Sequence, residues 1–222
     1  MSERTEAMER GVDGAPGESG DGPAGTEYDL GRLLTFTDGV FAIAITLLVL
    51  DIPVPVGPPA RLWPALLQLY PRLIAFGLSF LLVGIYWLTH HRLFRNIGRC
   101  TGTLLRLNLA LLFGICLIPF SAAVMARDGE TVAAIEVYGA NLAGVGLLFF
   151  GMRVYADSQG LTRRTFGGRQ RADGTIRAAA MVTMFLLAMA VAPFNTTLSY
   201  FGWAFSAPVA GFVQRVLVRL RN

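Results

Sequence analysis

Asp38 is the residue with the clearest chemical potential in this chain. It stands in RLLTFTDGVFAIAITLLVLDI (32–52), where no other charge follows it until Asp51. A carboxylate inside an apolar run costs a few kcal/mol on insertion scales, so it normally has a partner or a role. Arg32 lies one and two-thirds helical turns earlier, and Thr37 adds a hydroxyl beside the carboxylate. His90 and His91 close a second apolar run at a similar depth, if the two runs are adjacent. Together, Arg32, Thr37, Asp38 and a histidine could hold a fixed polar network or relay protons. Two simpler readings stay open. Asp38 gains from the positive end of a helix dipole, and either histidine can be an interfacial residue without a partner.

Other chemistries fit poorly. Adjacent histidines on a helix point about 100° apart and rarely bind one metal together. The chain has no HExxH, CxxC or spaced His pair, so no metal site is expected. Cys100 and Cys116 sit in a basic loop and an apolar run, which makes neither a disulfide framework nor a ligand set. No Gly-rich phosphate loop and no Ser-His-Asp order is present. The expectation is a non-enzyme with no cofactor.

The apolar body behind Asp38 is patterned. Ile43, Leu47 and Leu50 are spaced by four and three, so they share a helix face that Thr46 borders. Such spacing serves ordinary helix packing. It also serves a hydrophobic constriction, which can shut a pore by dewetting. A second polar pair, Glu136 and Asn141, lies in a later span beside Gly139, Ala140, Ala143, Gly144 and Gly146, small residues that allow close helix approach.

The elements that must position these groups are membrane helices. Of 222 residues, 54% are hydrophobic and 15% charged, against about 25% charged in ordinary soluble domains. A span needs about 20 apolar residues. Six are expected: 30–52, 62–94 with an interfacial first ten residues, 104–125 interrupted by Pro119, 131–155, 178–194, and 198–217 with Pro208 inside it. Residues 1–28 are rich in Gly, Glu, Ser and Pro and form an acidic tail unable to bury a core. The domain division is therefore 1–28 and 29–222.

All 19 basic residues are arginines, and their placement orients the spans. Arg92, Arg95, Arg99 and Arg106 follow span two. Arg153, Arg163, Arg164, Arg169, Arg171 and Arg177 follow span four, and Arg215, Arg219 and Arg221 end the chain. The alternate connections hold only Arg61 and Arg127, with Arg72 near the outer end of span two. The positive-inside rule then puts both termini in the cytoplasm. Topology accounts for the arginines, so nucleic acid is not an expected partner.

At this point the sequence resembles a known family. Arg32-x-x-x-Phe36-Thr37-Asp38 followed by GVFAIAITLLVLDI is similar to the signature of the transmembrane-protein-175 potassium channels. The family pattern has Phe-Ser-Asp, and Thr37 keeps the hydroxyl while adding a methyl. The similarity continues through SFLLVGIYWLTHHRLF (79–94) and LNLALLFGICLIPFSAAVMA (107–126). The resemblance implies an all-α integral membrane protein with six helices per repeat. A single-repeat prokaryotic member would assemble as a homotetramer in the cell membrane, with the first helix of each subunit lining a potassium-permeable pore. By position, it makes Ile43 the narrowest constriction, Thr46 a selectivity-related hydroxyl, and Leu47 and Leu50 further apolar layers. It makes Arg32, Thr37, Asp38 and a histidine of span two the supporting polar network. A reading from another class remains: a secondary transporter or proton-coupled carrier using Asp38 and a span-two histidine as relay.

Overall fold

The computed structural model describes residues 29–58, 61–162, 179 and 182–199. Helix α1, Leu30–Leu47, runs into a 3-10 turn, Leu48–Asp51. The Asp29 carboxylate caps α1, accepting from the amides of Gly31 at 2.8 Å and Arg32 at 3.3 Å. This satisfies two otherwise orphaned donors and puts an anion at the positive end of the helix dipole. The prolines after Ile52 prevent the helix from resuming.

The expected long second span is two helices. A short α2, Leu62–Gln68, stops at Leu69, and α3, Tyr70–Arg95, begins with Pro71 in its first turn. Proline at that position gives up an N–H that would be unpaired anyway. Helices α4, Gly102–Asp128, and α5, Val132–Ser158, start on the hydroxyls of Thr101 and Thr131. Each hydroxyl accepts from the amide three residues on at 3.3 Å. A shorter apolar helix, α6, covers Val182–Val191. The acidic segment 1–28, the body of the expected sixth span (200–217) and the arginines from Arg163 to Arg177 and beyond Arg215 lie outside the described residues.

One expectation is corrected. Pro119 does not interrupt α4, which is helical from end to end. A proline inside a span is tolerated where neighbouring helices and hydroxyl side chains re-satisfy the backbone. Here Pro119 removes only the amide that would donate to the Ile115 carbonyl, and α5 holds α4 on either side of it, through Val145 against Gly114 and Asn141 against Ser121.

Within a bilayer, apolar burial gives little drive for helices to associate, so close packing and buried hydrogen bonds hold the bundle. Gly114 of α4 lets the Val145 side chain of α5 approach so closely that a Cβ there would sit 2.8 Å from it. Gly146 does the same for Val182 of α6, also at 2.8 Å. Tyr86 of α3 is buried and donates to the Leu142 carbonyl of α5 at 2.7 Å. Ser79 and Tyr138 share a buried hydrogen bond at 2.9 Å. Asn141 donates to the Ser121 hydroxyl at 2.9 Å, so its partner is on α4 and Glu136 stays exposed.

Helix α1 packs on the α3–α4 pair through one stripe: Leu33, Thr37, Phe41, Ala44 and Leu48, all buried. At the far end of α3, the α3–α4 connection is tied to the segment after α5. Ile97 and Thr162 form an isolated antiparallel bridge, and the Gly98 amide donates to the Leu161 carbonyl at 2.9 Å. Thr101 and Tyr155 share a further hydrogen bond at 3.1 Å.

Candidate functional site

The polar head of α1 is divided between two partners. Thr37 faces inward and is fully buried. Its hydroxyl accepts from Asn108 Nδ2 at 2.9 Å, and Asn108 Oδ1 pairs with His90 Nε2 at 2.9 Å. Because the amide nitrogen of Asn108 is used toward Thr37, its oxygen faces the imidazole, so His90 Nε2 carries the proton. Three buried side chains from α1, α4 and α3 are thus joined in one line. His90 is 1% exposed and stacks on Phe94, with ring centroids 4.2 Å apart. Phe41 flanks it at 5.9 Å.

Asp38 is one residue further round and points away from that line. It is exposed, and its Oδ1 accepts from the Trp87 indole at 2.9 Å. Trp87 in turn lies against His91, ring centroids 5.9 Å apart. Adjacent residues on both helices therefore serve different partners, as the turn of about 100° between neighbours requires. Neither histidine is hydrogen-bonded to Asp38, and among the described residues no ion pair or hydrogen bond joins Arg32 to it. The residues expected to form one network are resolved into a buried line through Thr37 and His90 and an exposed contact at Asp38, with Arg32 outside both.

Asn108 and Trp87 hold these arrangements together, and neither was singled out from the sequence for this role. Asn108 had a signal: an amide in the apolar run LNLALLF needs a partner. Trp87 had only its place at the membrane interface, where tryptophan is common for other reasons.

The body of α1 has two distinct faces. The residues used for packing are Leu33, Thr37, Phe41, Ala44 and Leu48. Ile43, Thr46, Leu47 and Leu50 lie on another face and are uncovered, Ile43 at 61% and Leu50 at 74% exposure. Thr46 bonds its hydroxyl hydrogen back to the carbonyls of Ala42 at 3.1 Å and Ile43 at 2.9 Å. That fixes its rotamer and leaves oxygen lone pairs free as acceptors. The 3-10 turn matters here. In it, residues three apart nearly eclipse, so Leu50 follows Leu47 along one line.

Among the described residues, four helices of 22 to 27 residues are long and apolar enough to cross a bilayer. This bundle, with buried polar links between helices, defines a multi-span integral membrane protein. Residues 32–119 match the family model described as the endosomal/lysosomal potassium channel TMEM175. A potassium channel of Streptomyces collinus is 40% identical over 124 residues, 54% of this chain and 60% of that protein. The endosomal/lysosomal proton channel TMEM175 of Bos taurus is 31% identical over 210 residues, 85% of this chain and 44% of that one. The crystal structure of a lysosomal potassium-selective channel TMEM175 homolog from Chamaesiphon minutus aligns with a TM-score of 0.73. It is 28% identical and covers 83% of this chain and 97% of that chain. The matched part spans about three fifths of the S. collinus relative.

Proposed function

We propose that the chain is one subunit of a potassium-permeable cation channel, with the pore lined by α1 from four copies. The observation that carries this reading is the division of α1 into a packed stripe and an uncovered face. Apolar residues at helical spacing usually pack, but Ile43, Leu47 and Leu50 are not those that pack within the subunit. A further copy is the natural cover for an ordered face that includes a pre-oriented hydroxyl. Facing an axis, four Ile43 side chains form the narrowest ring and the hydrophobic gate, closing by dewetting. Leu47 and Leu50 add apolar layers, and the Thr46 oxygens offer the passing cation partial replacement for its water. Few oxygens line such a path, so selectivity for potassium over sodium is modest.

The polar line Thr37–Asn108–His90 and the Asp38–Trp87 contact act as supports that fix the rotation of α1 about its axis. Arg32 and His91 are solvated groups at the mouth. The subunit sits in the cell membrane with both termini on the arginine-rich cytoplasmic side, and potassium ions, lipid and its own copies are its partners. The bacterial relatives named potassium channels support potassium as the ion. The animal relatives are named proton channels, so proton flux is measured alongside.

Reconstitution in liposomes with a potassium gradient tests the reading. Potassium flux is expected, and Ile43→Asn is expected to raise it by wetting the ring. Absence of flux, or flux indifferent to Ile43→Asn, would count against the channel. Resolved unitary currents separate a channel from a carrier that uses Asp38 as a relay, since a carrier turns over too slowly to give them.

A further inference from the structure

One end of the bundle carries an arginine cluster that the polar head and α1 do not use. Arg92 and Arg95 lie in the last turns of α3, Arg99 in the connection to α4, and Arg106 in the second turn of α4. All four are exposed. Among the described residues Arg92 and Arg95 form no ion pair, and Arg106 hydrogen-bonds the neutral Thr103 hydroxyl at 3.2 Å. Of the described acids of this end, two are engaged by neutral donors. Asp29 caps the first amides of α1, and Asp38 accepts from Trp87. Asp157 stands near the end of α5. Arg92, Arg95 and Arg106 therefore have no carboxylate partner in the described part of their own chain.

The start of α1 emerges beside them. Asp38 and Trp87 are in contact. From Asp38 back to Asp29 is nine residues, and from Trp87 on to Arg95 is eight. At 1.5 Å per residue these are about 13 Å and about 12 Å toward the same end. The segment that ends at this point, 1–28, carries seven acids (Glu3, Glu6, Glu9, Asp13, Glu18, Asp21 and Glu27) against Arg4 and Arg10, a net charge of −5. A Gly-rich chain of that length has a root-mean-square reach of about 30 Å, more than twice either of these lengths.

We propose that segment 1–28 docks on the arginine cluster, through Arg92, Arg95 and Arg106, as a salt-sensitive electrostatic tether. Tethering at this distance holds the acids at high effective concentration, so weak individual pairs suffice. The interaction is multivalent and exposed, and salt weakens it. It does not depend on the channel reading, because it is completed within one chain. If that reading holds, the tether also cancels positive charge at the mouth that would repel entering cations.

The test uses the full chain in neutral phosphatidylcholine vesicles, with a fluorophore on Ser19→Cys in a Cys100→Ala/Cys116→Ala background. Raised anisotropy is expected at about 0.1 M salt, lost at about 1 M, where the Debye length falls from about 10 Å to about 3 Å. The same loss is expected in Arg92→Gln/Arg95→Gln/Arg106→Gln. It is also expected when Glu3, Glu6, Glu9, Glu18 and Glu27 are all changed to Gln, a variant that leaves the membrane helices untouched. Anisotropy unchanged in the five-glutamine variant would overturn the proposal. So would its collapse at low salt when anionic lipid is added, which would assign the arginines to headgroups. Flux is not read in this experiment, so failure of the channel reading and failure of the tether are told apart.

Discussion

The indole nitrogen of Trp87 donates to Asp38 Oδ1 at 2.9 Å across the α1–α3 interface. This is how the charge on α1 is held next to a long apolar helix. A hydrogen bond to a charged group is worth about 1.5–3 kcal/mol, but Asp38 is exposed and Trp87 is 39% exposed. Solvent screening reduces that to about 1 kcal/mol. Trp87→Phe keeps a ring and removes the donor. Its thermal midpoint in detergent is expected to fall by the equivalent of that energy, while Asp38→Asn, which keeps a carbonyl acceptor, falls less. Equal midpoints for Trp87→Phe and the parent would show that the bond stabilises nothing.

Asn108 has the larger stake, because it serves two buried groups at once. Asn108→Leu strands the His90 N–H and the Thr37 hydroxyl inside the bundle, at about 1–3 kcal/mol for each unsatisfied group. Loss of the folded, detergent-stable species or a fall in unfolding free energy of about 2–6 kcal/mol is expected. Thr37→Ser should cost little, since the hydroxyl survives. A double-mutant cycle over Thr37→Val and Asn108→Leu should show non-additivity. Simple additivity of the two losses would mean that the line is not a unit.

Gly114 sets how closely α4 and α5 approach. Alanine there would place its Cβ 2.8 Å from the Val145 side chain, and overpacking of this kind typically costs about 1–3 kcal/mol. Gly114→Ala/Val145→Ala should recover much of the loss. Failure of the second substitution to recover stability would place the strain elsewhere.

Thr46 tests the pore reading by chemistry rather than size. Thr46→Ser retains the acceptor oxygen and should retain the potassium-over-sodium preference in flux assays. Thr46→Val is nearly isosteric, loses the oxygen, and should narrow the preference several-fold. If serine and valine behave alike, the hydroxyl is not what the ion meets.

Cys100 gives a reporter outside the spans. It is 2% exposed, and burial pushes its thiol above the ordinary value of 9.0. A neutral maleimide should label it slowly at neutral pH in the folded protein and quickly after unfolding. The sign for stability follows from linkage: the folded form favours the protonated thiol, so this contribution is intact below pH 9 and is lost as pH rises through the higher folded value. Stability independent of pH above 9 in a comparison with Cys100→Ala would contradict this.

Much of this arrangement was legible in the residues. Helical spans follow from length and apolar content, and Asp38 announced itself as a carboxylate that had to be accommodated. Partners were not legible. Thr37 and Asp38 are neighbours in sequence but face different helices, and only packing decides which of His90 and His91 turns inward. The face of Ile43 was ambiguous for a similar reason: spacing says which residues share a face but not which face a neighbour covers. The stripe Leu33–Thr37–Phe41–Ala44–Leu48 is just as periodic, and its burial shows that it is the face that packs within the subunit. Pro119 read as a break because local preference opposes helix there, and the supporting neighbours that override it are far away in sequence.

The 3-10 turn at the end of α1 carries a mechanical consequence. A residue in an α-helix advances about 100° around the axis, and in a 3-10 helix about 120°. Rewinding Leu48–Asp51 as α-helix would swing Leu50 by about 60° relative to Leu47 and shorten the tip by about 2 Å. Ile43 and Thr46 would stay where they are. The direction of the Leu50 side chain is thus indexed by the pitch of four residues, like the end thread of a screw whose shank does not turn.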